Sequence, residues 1–155
     1  MLVQNTTLEV TGYNLKDHAF MSLEIEQRDR EGILILDMKG RITMGDEVTA
    51  FRSKIQQAAT TSADPKVILN LKHIEYIDST GLGAVVMGST AMQNHNGVIK
   101  LLNLNRRNLE LLVATKLAVI FEIFSDEGDA VNSFFPDREI KRFDILEFVK
   151  NQKKD

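Results

Sequence analysis

Cysteine is absent from the 155 residues. Disulfides, thiolate catalysis and cysteine-ligated zinc are excluded with it. A reducing compartment fits that absence. Positive charge is not in excess either: 19 Lys and Arg stand against 22 Asp and Glu, for a net charge of -3. General affinity for nucleic acid is therefore not expected. No stretch reaches the roughly 18 consecutive apolar residues of a membrane span. The opening MLVQNTTLEV lacks the basic start and apolar run of a signal peptide. These absences lead to the expectation of a cytoplasmic protein with no membrane and no nucleic-acid partner.

What is present suits a globular chain. The composition is 43% hydrophobic and 26% charged, and the length allows one domain with a real core. Residues 1–20 are weakly patterned and read as an N-terminal extension; the domain is expected over 21–135, with a C-terminal extension over 136–155. Leu23-Glu24-Ile25-Glu26 alternates as a half-buried strand does, Glu31-Gly32 signals a turn, and Ile33–Leu36 follows as a buried strand, so a hairpin is expected. Gly40–Gly45 reads as a loop, and Asp46 as the N-cap of a helix to about Ala59. Pro65 marks a break before a buried strand over Lys66–Leu71, and His73–Ile77 reads as a short connection. A helix is expected from about Thr80 to Gln93, ended by Asn96-Gly97. A strand over Val98–Leu102, a helix from Asn105, a strand over Val119–Phe124 and a last core helix capped by Ser125 complete the domain. Strands alternating with helices through short turns predict an α/β fold with a mixed, mostly parallel sheet. Beyond Pro136, Ile140, Phe143, either Leu146 or Ile145 and Phe148, and Val149 outline an amphipathic helix that either packs on its own domain or meets a partner.

Several chemistries are offered only in outline. Gly83–Thr90 spaces its glycines like a phosphate-binding loop but lacks the lysine before the Ser or Thr. Gly81-Leu82-Gly83 starts like a dinucleotide fingerprint, yet its third glycine position is Val86, and no acidic residue ends the next strand to hold a ribose. His18, His73 and His95 are scattered and show no metal-ligand spacing. Arg106-Arg107, the tight basic pair of the domain, is either a solvated helix face or a contact to an acidic partner. Nothing here asks for an enzyme, a cofactor or a metal.

The run Asp78-Ser79-Thr80-Gly81-Leu82-Gly83 stands apart. It joins the end of a strand to the start of a helix, where glycine is unfavourable by about 1 kcal/mol relative to alanine. One reading makes a hydroxyl the helix cap and the rest incidental. The other makes the glycines clear space around Ser79 for another backbone or another protein. A phosphate on Ser79 would add about -1.5 to -2 charges. The helix N-terminus tolerates an anion, whereas a partner docked over it does not. Such a site switches binding off without unfolding the domain.

From about Ser22 to Phe135 the chain resembles the STAS domain of bacterial anti-sigma factor antagonists. The matching pieces are GRITMGDE (Gly40–Glu47), KVILNLKHIEYIDSTGLG (Lys66–Gly83), GVIKLLNLNRR (Gly97–Arg107) and TKLAVIFEIFSDEGDAV (Thr115–Val131), in the family's order. The resemblance implies a STAS-type domain that acts by binding, with no catalysis of its own. It implies as partners an anti-sigma factor that is a serine kinase and a PP2C-type phosphatase. It makes Ser79 the phosphate acceptor, with Thr80 as second choice, and places the partner surface on Arg41, Thr43, Met44, Asp78, Ser79, Thr80, Gly81, Leu82 and Gly83. The sequence departs from the family pattern at Thr43 and Asn70, where many members carry an acidic residue. Two alternatives remain open: a non-enzymatic scaffold subunit that self-assembles, as a homodimer or larger particle, and a transporter-associated or ligand-binding subunit.

Overall fold

The computed structural model describes residues 23–154. Strands β1 (Leu23–Arg30) and β2 (Ile33–Ile42) form an antiparallel hairpin. Its two-residue turn, Glu31-Gly32, has positive φ at both positions, 55° and 84°, the backbone that matches the twist of paired strands. Helix α1 (Asp46–Ala59), β3 (Lys66–Ile77), α2 (Ser79–Gln93), β4 (Val98–Leu102), α3 (Arg106–Ala114) and β5 (Ile123–Phe124) follow. The sheet order is β1-β2-β3-β4-β5, parallel from β2 onward. Two short elements close the described chain, α4 (Glu127–Asn132) and α5 (Ile145–Lys154). The expected α/β class and hairpin-led sheet are what the structure has. The expected extension over residues 1–20 lies outside the described residues.

The sheet is apolar on both faces. On one, Leu36, Met38, Val67 and Leu69 meet Phe51 and Ile55 of α1, Leu82 and Val85 of α2, and Leu109 and Leu112 of α3. On the other, Ile33, Ile35, Ile68, Leu102 and Phe124 meet Ala130 and Val131 of α4, with Phe134, Phe135 and Ile140 of the chain that follows. Fully burying one such side chain stabilises by roughly 1.5–3 kcal/mol.

Several expected boundaries move. His73–Ile77 is strand, continuing β3 beside the end of β2. Two register shifts put extra residues into β3, so burial falls on Leu71, Ile74 and Ile77 at a spacing of three, which hides the strand period of two. Gly40–Ile42 accordingly belongs to β2. The strand expected over Val119–Phe124 shortens to its last two residues. The β-branched pair Val119 and Ile120 is exposed in a turn, and only Ile123–Phe124 pairs with β4. Gly45, not Asp46, is the cap position of α1, and Asp126, not Ser125, caps α4 through the Asp129 N–H at 2.9 Å. The amphipathic pattern after Pro136 is helical only from Ile145. Phe143, Ile145 and Phe148 pack on the domain's own core, and the Phe143 N–H donates to the Ile123 carbonyl at 3.3 Å, covering the outer edge of β5.

Candidate functional site

The run at Asp78 lies where β3 ends and α2 begins, beside the end of β2. Asp78 is the N-cap of α2: one carboxylate oxygen accepts from the Gly81 N–H at 2.7 Å. Its other oxygen accepts from the Met44 N–H at 2.9 Å, in the loop between β2 and α1. The Asp78 N–H donates to the Ile42 carbonyl at 3.3 Å. One carboxylate thus starts the helix and pins a loop that is 34 residues away in sequence. The capping role falls to Asp78 and not to a hydroxyl, which leaves Ser79 and Thr80 as exposed first-turn residues.

The glycines divide. A Cβ on Gly81 would lie 1.8 Å from the Ile42 carbonyl oxygen, so Gly81 is demanded by the close approach of α2 to the end of β2. Gly88 packs against Ile55 of α1, where a Cβ would meet the Ile55 side chain at 3.3 Å. A Cβ on Gly83 would meet nothing within 4 Å. No packing among the described residues explains Gly83, and the absent side chain leaves open surface one helical turn from Ser79. Met87 continues the same i, i+4 row and is 59% exposed; Met44, on the pinned loop, is 72% exposed. Methionine is flexible and polarizable, a side chain suited to contact surfaces.

The structure therefore brings together two of the predicted groups, Thr43-Met44 and Asp78–Gly83. Leu82 is buried in the core and holds α2 in place. Arg41 is half-buried at the end of β2, opposite Tyr76 of β3. Sequence reasoning did not link Tyr76 or Arg107 to this site. The Arg107 guanidinium lies over the Tyr76 ring, 4.6 Å from its centroid. Both line a groove of about 360 Å³ that Asp78 and Ser79 also line. Arg106 instead pairs with Glu110 along α3 at 2.9 Å. The adjacent-arginine signal was visible in the sequence; the division of labour needed the α3–β3 packing.

Asn70 has a local reason. Its amide donates to the Asp37 carboxylate at 2.7 Å across β2 and β3. An aspartate at 70 would set two carboxylates face to face, which is unfavourable. His95 sits at the end of α2, its Nδ1 3.0 Å from the Ala91 carbonyl. Among the described residues no group of His, Asp and Glu is arranged to hold a metal ion, and no helix is long and apolar enough to cross a membrane.

A profile of the STAS domain matches residues 24–130, which spans the hairpin, the Asp78–Gly83 turn and most of α4. The chain belongs to the STAS-domain family. It is 26% identical over 113 residues to the anti-sigma F factor antagonist of Paenibacillus polymyxa, covering 72% of this chain and 94% of that protein. It is 29% identical over 103 residues to the anti-sigma-B factor antagonist of Bacillus subtilis (strain 168), covering 66% and 92%. The anti-sigma factor antagonist SpoIIAA, solved in its unphosphorylated form, superposes with a TM-score of 0.63 at 18% identity over 74% of this chain and 99% of that one. At that identity the superposition speaks for the fold: the STAS sheet and its helices are shared.

Proposed function

We propose that this STAS protein is an anti-sigma factor antagonist switched by phosphorylation of Ser79. Two relatives over most of their length are antagonists by name, and SpoIIAA has been solved in phosphorylated as well as unphosphorylated form. The observation that carries the reading is the position of Ser79. It is exposed at the first residue of α2, its neighbour Asp78 already caps the helix, and the surface around it is open at Gly83. The unphosphorylated surface, with Met44, Gly83 and Met87 around Ser79, binds an anti-sigma factor that is also a serine kinase. Phosphate on Ser79, or on Thr80 as second choice, adds about -1.5 to -2 charges. Desolvating that charge against a docked protein costs several kcal/mol, on the order of 100-fold in affinity. A PP2C-type phosphatase resets the switch. The protein acts by binding in the cytoplasm, through the unit 21–135.

The test is a pull-down from native host lysate with wild type, Ser79→Ala and Ser79→Asp as baits. A serine kinase retained by wild type and Ser79→Ala but lost with Ser79→Asp supports the switch. The same proteins on all three baits would reject it and favour a scaffold role.

A further inference from the structure

The end of the sheet opposite Ser79 holds a cavity of about 730 Å³. Its walls come from the end of β1, the hairpin turn, the second half of α1 and the start of β3. β3 spans 12 residues between the two ends, on the order of 35 Å at the usual strand rise. A volume of this size accepts a small organic molecule.

Lys54 of α1 lines the cavity and is only 9% exposed. Its ammonium donates to the Gln27 side-chain oxygen and to the Gln57 side-chain oxygen at 3.1 Å. Both acceptors are neutral amides. Among the described residues no carboxylate pairs with Lys54, unlike buried Lys100, which pairs with Glu122 at 3.1 Å. The other charges in the wall do not supply the missing anion. Arg28 is held by Asp37 and Glu127, and Asp29 accepts from the Gly32 N–H at 3.2 Å. Lys66 adds a second cation at the start of β3. Removal from water pushes the Lys54 ammonium below the ordinary lysine range, as expected for a buried cation with no counter-charge among the described residues. Such an ion is unfavourable in the fold unless something pairs with it. Beside it, Leu34, Ala58 and Pro65 offer an apolar wall.

We infer that this cavity binds a small organic carboxylate, with the carboxylate on the Lys54 ammonium and the apolar body against Leu34, Ala58 and Pro65. The Gln27 and Gln57 amides hold the lysine in place from either side and leave their N–H groups for the second carboxylate oxygen. The site lies at the other end of the sheet from Ser79 and stands whether or not Ser79 is a switch.

The experiment is an NMR titration of the full chain with sodium benzoate and, separately, sodium octanoate. Sodium chloride and sodium phosphate at matched ionic strength are the controls. The side-chain amides of Gln27 and Gln57 and the Lys54 side chain report. Saturable shifts confined to the cavity are expected with the two carboxylates, and Lys54→Met should weaken them at least about tenfold. Without ligand, Lys54→Met should melt at a higher temperature than wild type, because it removes a buried unpaired charge and keeps the stem. Thr61→Trp, which fills the mouth from an exposed position, should weaken binding with the lysine intact. The proposal is overturned if no saturable shift occurs, if chloride and phosphate reproduce the shifts, or if neither variant weakens them.

Discussion

Gly81 and Gly83 stand two residues apart and answer to different demands. At Gly81 a methyl group would overlap the Ile42 carbonyl, an atom of backbone that cannot swing away. Gly81→Ala should therefore destabilise the domain by roughly 2 kcal/mol or more, since α2 must back away from β2. At Gly83 the space is empty, and alanine is the better helix former. Gly83→Ala should stabilise by up to about 1 kcal/mol. Chemical denaturation of the two variants checks both signs. Under the proposed function Gly83→Ala also weakens kinase binding while the fold gains, a combination that a packing role for Gly83 would not produce. Asp78 matters twice in the same way: its replacement by alanine frees both the α2 cap and the Met44 loop.

Among the elements, β1, β2 and α4 are joined through one guanidinium, that of Arg28. Glu127 accepts from Arg28 at 2.5 Å and from Arg30 at 2.7 Å, and Arg28 also holds Asp37. The hydrogen bond from Arg28 is the main cause that holds the Glu127 carboxyl at about 2, and Arg30 adds to it. Its folded pKa is depressed, so the stabilisation is complete above about pH 4.5 and is lost as the pH falls toward 2. Wild type should exceed Glu127→Gln in stability by on the order of 1 kcal/mol at pH 7, the network being partly exposed. The gap should close between about pH 5 and 2 in acid-unfolding curves. The C-terminal segment behaves as part of the same body. Phe143, Ile145 and Phe148 pack on the core, Arg138 pairs with Glu31 at 2.9 Å, and Arg142 pairs with Glu122 at 2.7 Å. Removing residues 137–155 should lower the melting temperature by several degrees and uncover the β5 edge, which calorimetry and light scattering would register.

For the molecule taken together, the proposed switch requires that charge at Ser79 leave the fold alone. Ser79 begins a helix, where free N–H groups and the dipole favour an anion. Ser79→Asp should thus match wild type in stability within about 0.5 kcal/mol by thermal unfolding. A large loss of stability would mean that Ser79→Asp loses its partner through unfolding, and the binding difference would no longer speak for a switch. The two ends of the sheet are chemically separate: an exposed hydroxyl among methionines at one, a buried cation beside an apolar wall at the other.

Local pattern carried much of this. The hairpin, the buried strands at Lys66 and Val98, the helix before Asn96-Gly97 and the Asp78–Gly83 turn were all legible, because each rests on short-range periodicity and turn chemistry. The strand character of His73–Ile77 was not, because two register shifts against β2 broke the period of two. Nor was the exposure of Val119 and Ile120, whose β-branched side chains read as strand wherever they stand. The order of residues was enough to put a serine after an aspartate at a strand-to-helix junction with glycines beyond it. What Asp78 and Gly81 do was settled by packing, because their contacts are with neighbours far away in the chain. The Ile42 carbonyl claims Gly81, the Met44 N–H claims the second oxygen of Asp78, and no packing contact among the described residues claims Gly83. Lys54 is one of 19 basic residues in the sequence. It becomes distinctive when folding takes it out of water between two amides, with no carboxylate among the described residues to meet it.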